Sequence, residues 1–226
     1  LVLGLLGAVA LTLASGAQAA AQTWQEGKHF ILLNPAQRTT VPRGKIEVLE
    51  VFSYGCPGCN SFQPVVAKLE KSLPPNAQMA FLHASFKPAE SWPMFQRAFY
   101  AAQSLGIAER THQALYDAIW KTGELAVIDR ATGRLKNPQP TIEDAAKCYQ
   151  RLTGIPAEKF LAAARSFSVD AKARAADAQV NAMRVPGTPC IVVNGKYRVD
   201  MDSLQSVDQL IDVVRYLVAR EGTAAK

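Results

Sequence analysis

The chain has 226 residues, 25 Lys and Arg against 19 Asp and Glu, and a formal net charge of +6. With 49% hydrophobic and 19% charged residues it reads as an ordered globular protein of one or two domains, which excludes a disordered or collagen-like chain. Four cysteines are too few for a small disulfide scaffold, and the scattered cations form no basic run of the kind that binds nucleic acid.

The first charged residue is Glu26. Before it lies an apolar Leu/Val/Ala/Gly stretch, Leu1 to Leu13, followed by the small-x-small sequence Ala17-Gln18-Ala19. This pattern predicts a secretory signal peptide over residues 1–19, missing its initiator Met and basic leader. A membrane anchor is the competing reading, but the apolar part falls short of the ~20 residues a span needs. Export puts the cysteines in an oxidising compartment.

A short strand is expected at His29 to Leu32, and the apolar run Ile46 to Phe52 predicts a buried strand. Ser53-Tyr54-Gly55-Cys56-Pro57-Gly58-Cys59 follows, and then Phe62, Val65, Val66, Leu69 and Leu73 recur at helical spacing until Pro74-Pro75. Another strand is predicted at Met79 to Ala84. Ser91 is placed as the cap of a helix carrying Trp92, Phe95, Phe99 and Ala102 and ending at Gly106. The next helix carries Leu115, Ile119 and Trp120 and stops at Gly123. Asp129 to Pro140 reads as a loop, and Thr141 with Asp144 as a capping box opening a helix with Ile142, Ala145, Cys148 and Leu152 inward. Further helices are expected from Pro156 and from Ser168. Ile191–Val193 and Tyr197–Val199 flank Asn194-Gly195-Lys196, a hairpin signal, and Ser206 caps a last helix.

A Cys-x-x-Cys is redox-active, half a zinc site, or incidental. Zinc needs a second ligand pair, whereas Cys148 and Cys190 stand alone and His29, His83 and His112 have no ligand spacing, so no metal is expected. No Gly-rich phosphate loop appears either. The redox reading has a mechanism: Cys56 falls where a buried strand turns into a helix, with Pro57 at the first helical position. Unpaired N–H groups and the positive end of the helix dipole then favour its thiolate. Cys59 lies one turn inside. Cys56 is therefore expected to be the attacking or attacked sulfur and Cys59 the resolving one.

Here the sequence resembles the thioredoxin superfamily and, within it, the exported thiol:disulfide interchange proteins of the DsbA type. The resemblance is carried by Val51-Phe52-Ser53-Tyr54-Gly55-Cys56-Pro57-Gly58-Cys59, Val185-Pro186-Gly187-Thr188-Pro189 and Val193-Asn194-Gly195-Lys196-Tyr197, with a helical block between the two halves. It implies an α/β thioredoxin fold with an inserted all-helical subdomain: residues 20–86 the first part, 87–167 the insertion and 168–226 the closing part. It further implies that Pro189 is cis beside the disulfide and that Thr188 backbone pairs with an extended substrate. A buried Glu50 would take the proton of Cys59, in place of the surface ion pair an isolated strand carboxylate usually makes. Pro64 would play a structural part in the active-site helix.

Two features depart from the family pattern. Gly58 stands where the strongest oxidants carry His, so Cys56 loses a cationic neighbour and a weaker oxidant is expected. For Cys148 and Cys190 two readings stay open: a structural disulfide tying the insertion to the core, or two buried thiols. The resemblance implies a monomer that donates its Cys56–Cys59 disulfide to unfolded or reduced exported polypeptides in the periplasm. A membrane quinone-linked reoxidase of the DsbB type would recharge it, with no cofactor beyond the disulfide. The alternatives are a reductase or isomerase, or a non-catalytic peptide- or metal-binding module.

Overall fold

Strand β2 (Ile46–Phe52) is buried along its whole length, Glu47 and Glu50 included, which is what a central strand covered on both faces requires. In this computed structural model, which describes residues 23–224, β2 pairs in parallel with β3 (Ala77–His83) and antiparallel with β4 (Cys190–Val193). Two further strands, β5 (Tyr197–Val199) and β1 (Phe30–Leu32), extend the sheet to the order β1-β5-β4-β2-β3. The expected signal peptide and its cleavage site lie outside the described residues.

Between β2 and β3 runs α1 (Pro57–Ser72), which ends as its cap Leu73 turns extended before Pro74. Helices α2 (Trp92–Ser104), α3 (Ala108–Tyr116), α4 (Ile142–Thr153), α5 (Ala157–Ala164) and α6 (Phe167–Ala182) follow β3, and α7 (Val207–Ala224) closes the chain. This is the expected fold: a thioredoxin-type sheet interrupted by helices. One apolar core joins β2 residues Leu49, Val51 and Phe52 to Phe95, Phe99, Leu115, Tyr149 and Phe160 of the helical block. A second packs α7 and the inner face of α1 against β2, β4 and β5, through Val48, Leu69, Ile191, Val193, Val214 and Leu217.

Several boundaries differ from the sequence reading for local reasons. β3 begins at Ala77 because β2 offers partners from Ile46 onward, whatever the polarity of Ala77 and Gln78. Ser91 precedes α2 but does not cap it with its side chain. A cap hydroxyl accepts from the second or third residue of the helix when the cap residue is extended, as Thr141 and Ser166 are. The Ser91 hydroxyl instead donates to Gln139 Oε1 at 3.1 Å, and Ser91 itself is left-handed, with φ 59°. The helix expected to reach Gly123 is α-helical only to Tyr116 and continues as a π-helical turn, Asp117–Lys121. The helix expected from Ser168 starts at Phe167 with Ser166 as its cap. The Thr141–Asp144 capping box is present in both directions: Asp144 N–H donates to Thr141 Oγ1 at 3.3 Å, and Thr141 N–H to Asp144 Oδ2 at 2.9 Å.

The β4–β5 turn shows the left-handed pair that Asn-Gly favours, Asn194 at φ 52° and Gly195 at φ 61°. Gly195 also lies against the chain after β1: Gln37 N–H donates to its carbonyl, and a Cβ there would sit 2.2 Å from Gln37 O. Gly195→Ala is therefore expected to destabilise the protein by about 2 kcal/mol or more, a left-handed penalty plus a backbone collision. Urea unfolding of the variant measures the loss.

Candidate active site

Cys56 is the N-cap of α1, in extended conformation, with Pro57 as the first helical residue. Local sequence explains the placement: Ser53-Tyr54-Gly55 forms the turn that ends β2, Cys56 N–H donates to Ser53 O, and proline starts a helix without wasting a donor. All four cysteines are free thiols, so the structure shows the reduced site. Cys59 N–H donates to Cys56 Sγ at 3.3 Å, and the Cys56 thiol donates to Thr188 O at 3.3 Å.

The two sulfurs differ in environment as the helix geometry predicts. Cys56 keeps 6% of its surface, while Cys59 has none. The Cys59 thiol, and then the N–H groups of Cys59 and Gly58, stabilise the Cys56 thiolate and outweigh its burial, bringing its pKa down to about 6. Burial, and next the bond to Cys56 and that sulfur's negative charge, push Cys59 far above the ordinary thiol range. One sulfur is a thiolate at neutral pH and the other a thiol.

Opposite them, the Thr188–Pro189 peptide is cis. A groove of about 570 Å³ runs behind it, lined by Gly187, Thr188, Pro189, Arg198 and Met201. Gly58 faces Pro189 across the site; a Cβ on Gly58 would lie 3.4 Å from Pro189 Cδ and 3.6 Å from Cys56 Sγ, ordinary contact distances for a Cβ. Pro64 lies inside α1.

Glu50 is fully buried, not paired at the surface, and neither carboxylate oxygen has a hydrogen-bond partner. Burial, and secondarily the negative charge of Cys56, raise its pKa to about 8, so it carries its proton at neutral pH.

Cys148 and Cys190 are both buried as free thiols in this structure. Their surroundings differ. Cys148 on α4 is near Glu124 and accepts a long bond from Arg151 at 3.7 Å, whereas Cys190 opens β4 opposite Val51, near Arg198 and Asp200. Burial pushes their thiols up to about 11 and about 12. Apolar packing joins the insertion to the sheet.

Sequence reasoning missed the floor of the site. Tyr54, His83, His112 and Tyr116 gather around Phe52 just below the cysteines. His83 Nε2 accepts from Tyr54 N–H at 3.1 Å, and its Nδ1 lies 2.9 Å from Ala84 O, which fixes the neutral ring; burial lowers its pKa to about 3. Trp120, from the π-helical turn, donates Nε1–H to Tyr54 O at 2.9 Å. The one signal in the sequence was Tyr54 itself, two residues before Cys56, since His83 and His112 stand alone in their segments.

In the reduced protein, the ultraviolet absorbance of a single thiolate is expected to titrate near pH 6 and to vanish in Cys56→Ser. A midpoint at the ordinary thiol value of ~8.5 would contradict the N-cap account. The sign for stability follows: a thiol with lowered pKa stabilises the reduced fold fully above the unfolded thiol's pKa, and that contribution is lost as pH falls through about 6.

Comparison with known proteins points the same way. A family model described as the DSBA-like thioredoxin domain matches residues 47–212. The thiol:disulfide interchange protein DsbA of Pseudomonas aeruginosa is 31% identical over 93% of this chain and 92% of its own length. That of Pseudomonas syringae pv. tomato is 30% identical over 96% and 94%. Among solved structures, the oxidoreductase DsbA from Xylella fastidiosa superposes with a TM-score of 0.74 at 29% identity, covering 87% of this chain and 97% of that one. A DsbA cysteine-to-serine variant from Proteus mirabilis, solved with a non-covalently bound peptide, superposes at 0.69 with 25% identity, covering 88% and 100%. With a thiolate-stabilising Cys-x-x-Cys, a cis proline facing it and this extent of similarity, the chain belongs to the DsbA-like thioredoxin family and is a thiol:disulfide oxidoreductase.

Proposed function

We propose that the protein works as a disulfide donor, passing a Cys56–Cys59 disulfide to reduced, incompletely folded polypeptides. The observation that carries this reading is the asymmetry of the two sulfurs: the N-cap thiolate of Cys56 is a good leaving group, and Cys59 is hidden behind it. A substrate thiolate attacks Cys56 Sγ, the Cys56–Cys59 bond breaks, and the departing Cys59 sulfur takes the proton held by Glu50. A second substrate thiolate then attacks the substrate sulfur of the mixed disulfide, and Cys56 leaves as a stabilised thiolate. Two electrons have moved from the substrate dithiol to the enzyme. Thr188 backbone holds the substrate segment in extended form beside Pro189, and the half-exposed Phe86, ring-packed on Trp92, adds apolar surface.

The apolar leader predicted over residues 1–19 supports a periplasmic site of action, where substrates arrive reduced. Among the described residues no helix is long and apolar enough to cross a membrane. Recharging requires an oxidant that accepts the two electrons, for which a membrane quinone-linked reoxidase of the DsbB type is the reading that fits the family. No cofactor beyond the disulfide enters these steps.

Equilibration with glutathione is expected to give a potential clearly more oxidising than thioredoxin's, about −270 mV; a value at or below that would favour a reductase. Cys56→Ser is expected to abolish oxidation of a dithiol peptide, while Cys148→Ser leaves it unchanged. Gly58→His, whose Cβ would meet only ordinary contacts, is expected to lower the Cys56 midpoint to roughly pH 5 or below and make the enzyme a stronger oxidant. Glu50→Gln is expected to slow the Cys59 step on the order of 10²-fold and to remove a titration near pH 8 from its pH–rate profile.

A further inference from the structure

The sheet ends at β3, whose outer side pairs with no other strand among the described residues. In the parallel β2–β3 ladder, Ile46 N–H donates to Asn76 O and Ala84 N–H to Phe52 O. Those two bonds fix the alternation between them. Gln78, Ala80 and Leu82 turn their backbone groups toward β2, and Ala77, Met79, Phe81 and His83 turn theirs outward. The outward row is closed at its ends: Ala77 N–H donates to Pro74 O, and His83 O accepts from Gln96 Nε2 at 2.8 Å. Between them, among the described residues, no backbone or side-chain group bonds to the N–H or C=O of Met79 or Phe81. Both residues line a groove of about 450 Å³ along this edge, with Val66 and Glu70 of α1 on one side and Phe99 of α2 and Glu109 of α3 on the other. Unpaired strand groups beside an open groove are a template on which an extended segment adds as a further strand.

The charge of the groove narrows the occupant. Glu70 and Glu109 are exposed, make no ion pair among the described residues, and have no Lys or Arg beside them in the lining, although the chain as a whole carries +6. His112, also in the lining, is neutral, because burial lowers its pKa to about 4. A second copy of this chain paired edge to edge would bring like charges together, whereas a segment with Lys or Arg would neutralise them. We propose that this edge is a docking site for an extended, basic polypeptide segment, which adds to β3 as a sixth strand. Its backbone pairs with Met79 and Phe81, its apolar side chains settle against Val66 and Phe99, and its cations reach Glu70 and Glu109. Main-chain pairing gives affinity for extended sequences, and the two carboxylates give the preference for basic ones. The site shares no lining residue with the groove at Thr188 and Pro189.

The test is residue-resolved amide hydrogen exchange on the full chain, with a capped, cysteine-free hexapeptide of alternating Val and Lys as the probe. In the free protein the Met79 and Phe81 amides are expected to exchange about a hundredfold faster than those of Ala80 and Leu82, which face β2. Saturating probe is expected to slow Met79 and Phe81 about tenfold or more, and a Val–Glu hexapeptide to leave them fast. Glu70→Gln combined with Glu109→Gln is expected to weaken probe binding about fivefold while dithiol oxidation is unchanged. Exchange at Met79 and Phe81 that the Val–Lys probe leaves unaltered overturns the site, and equal slowing by the Val–Glu peptide overturns the basic occupant. Amides that are already slow in the free chain also overturn it; if they are slow only at high protein concentration, a second copy covers the edge instead.

Discussion

The hydrogen bond from Cys59 N–H to Cys56 Sγ is the contact on which the chemistry depends, and it exists only because a helix begins at that point. An N-cap side chain accepts from the helix's unpaired N–H groups, and here the acceptor is sulfur in place of the usual oxygen. The same geometry that makes the bond also places Cys59 one turn inside, out of water. Holding the helix start there takes a strand buried on both faces, a turn at Ser53–Gly55 and a proline at the first helical position. Gly55 has no freedom to be anything larger, because a Cβ there would lie 2.8 Å from Trp92 Nε1.

The helical insertion is best understood as the lid that makes the site apolar. Phe95, Phe99, Leu115 and Tyr116 roof over the face of β2 that carries Leu49 and Val51, and Glu50 is buried with no hydrogen-bond partner. A carboxylate in such a place stays neutral at a pH where a surface Glu has long since ionised. In the mechanism we propose, that neutral acid is the proton source for the departing Cys59 thiolate. Glu50 lies on the other face of β2, with Val48 and its cross-strand neighbour Ile191, whose core is packed on α1 and α7.

The helical block and strand β3 each reach the catalytic turn by a polar contact. Trp120 holds the Tyr54 carbonyl, and the π-helical turn that carries it widens the last turn after α3 just where that reach occurs. Wide turns of this kind are frequent at functional sites, because they shift one side chain relative to the face below it. His83 fixes the Tyr54 N–H from the other side. Both backbone groups of Tyr54 are thereby satisfied by side chains, one from the helical block and one from the end of β3.

The sequence by itself determined what depends on near neighbours. Cys56-Pro57-Gly58-Cys59 announces a capped helix, Thr141 and Asp144 a capping box, Asn194-Gly195 a tight hairpin, and the alternation of strand and helix signals the fold class. Local sterics and hydrogen bonding act over three or four residues, so a reader of the chain can evaluate them. Ser91 shows the limit even there: its residue type suits a cap, but its backbone is left-handed and Gln139, 48 residues away, takes the hydroxyl. Only the tertiary structure decided that Cys148 and Cys190 are buried as free thiols, and that His83 and His112 belong to the floor of the site. The same holds for Glu50, whose carboxylate the structure leaves wholly unpartnered. Burial and partner choice are sums over segments distant in sequence, and no pattern within one segment contains them.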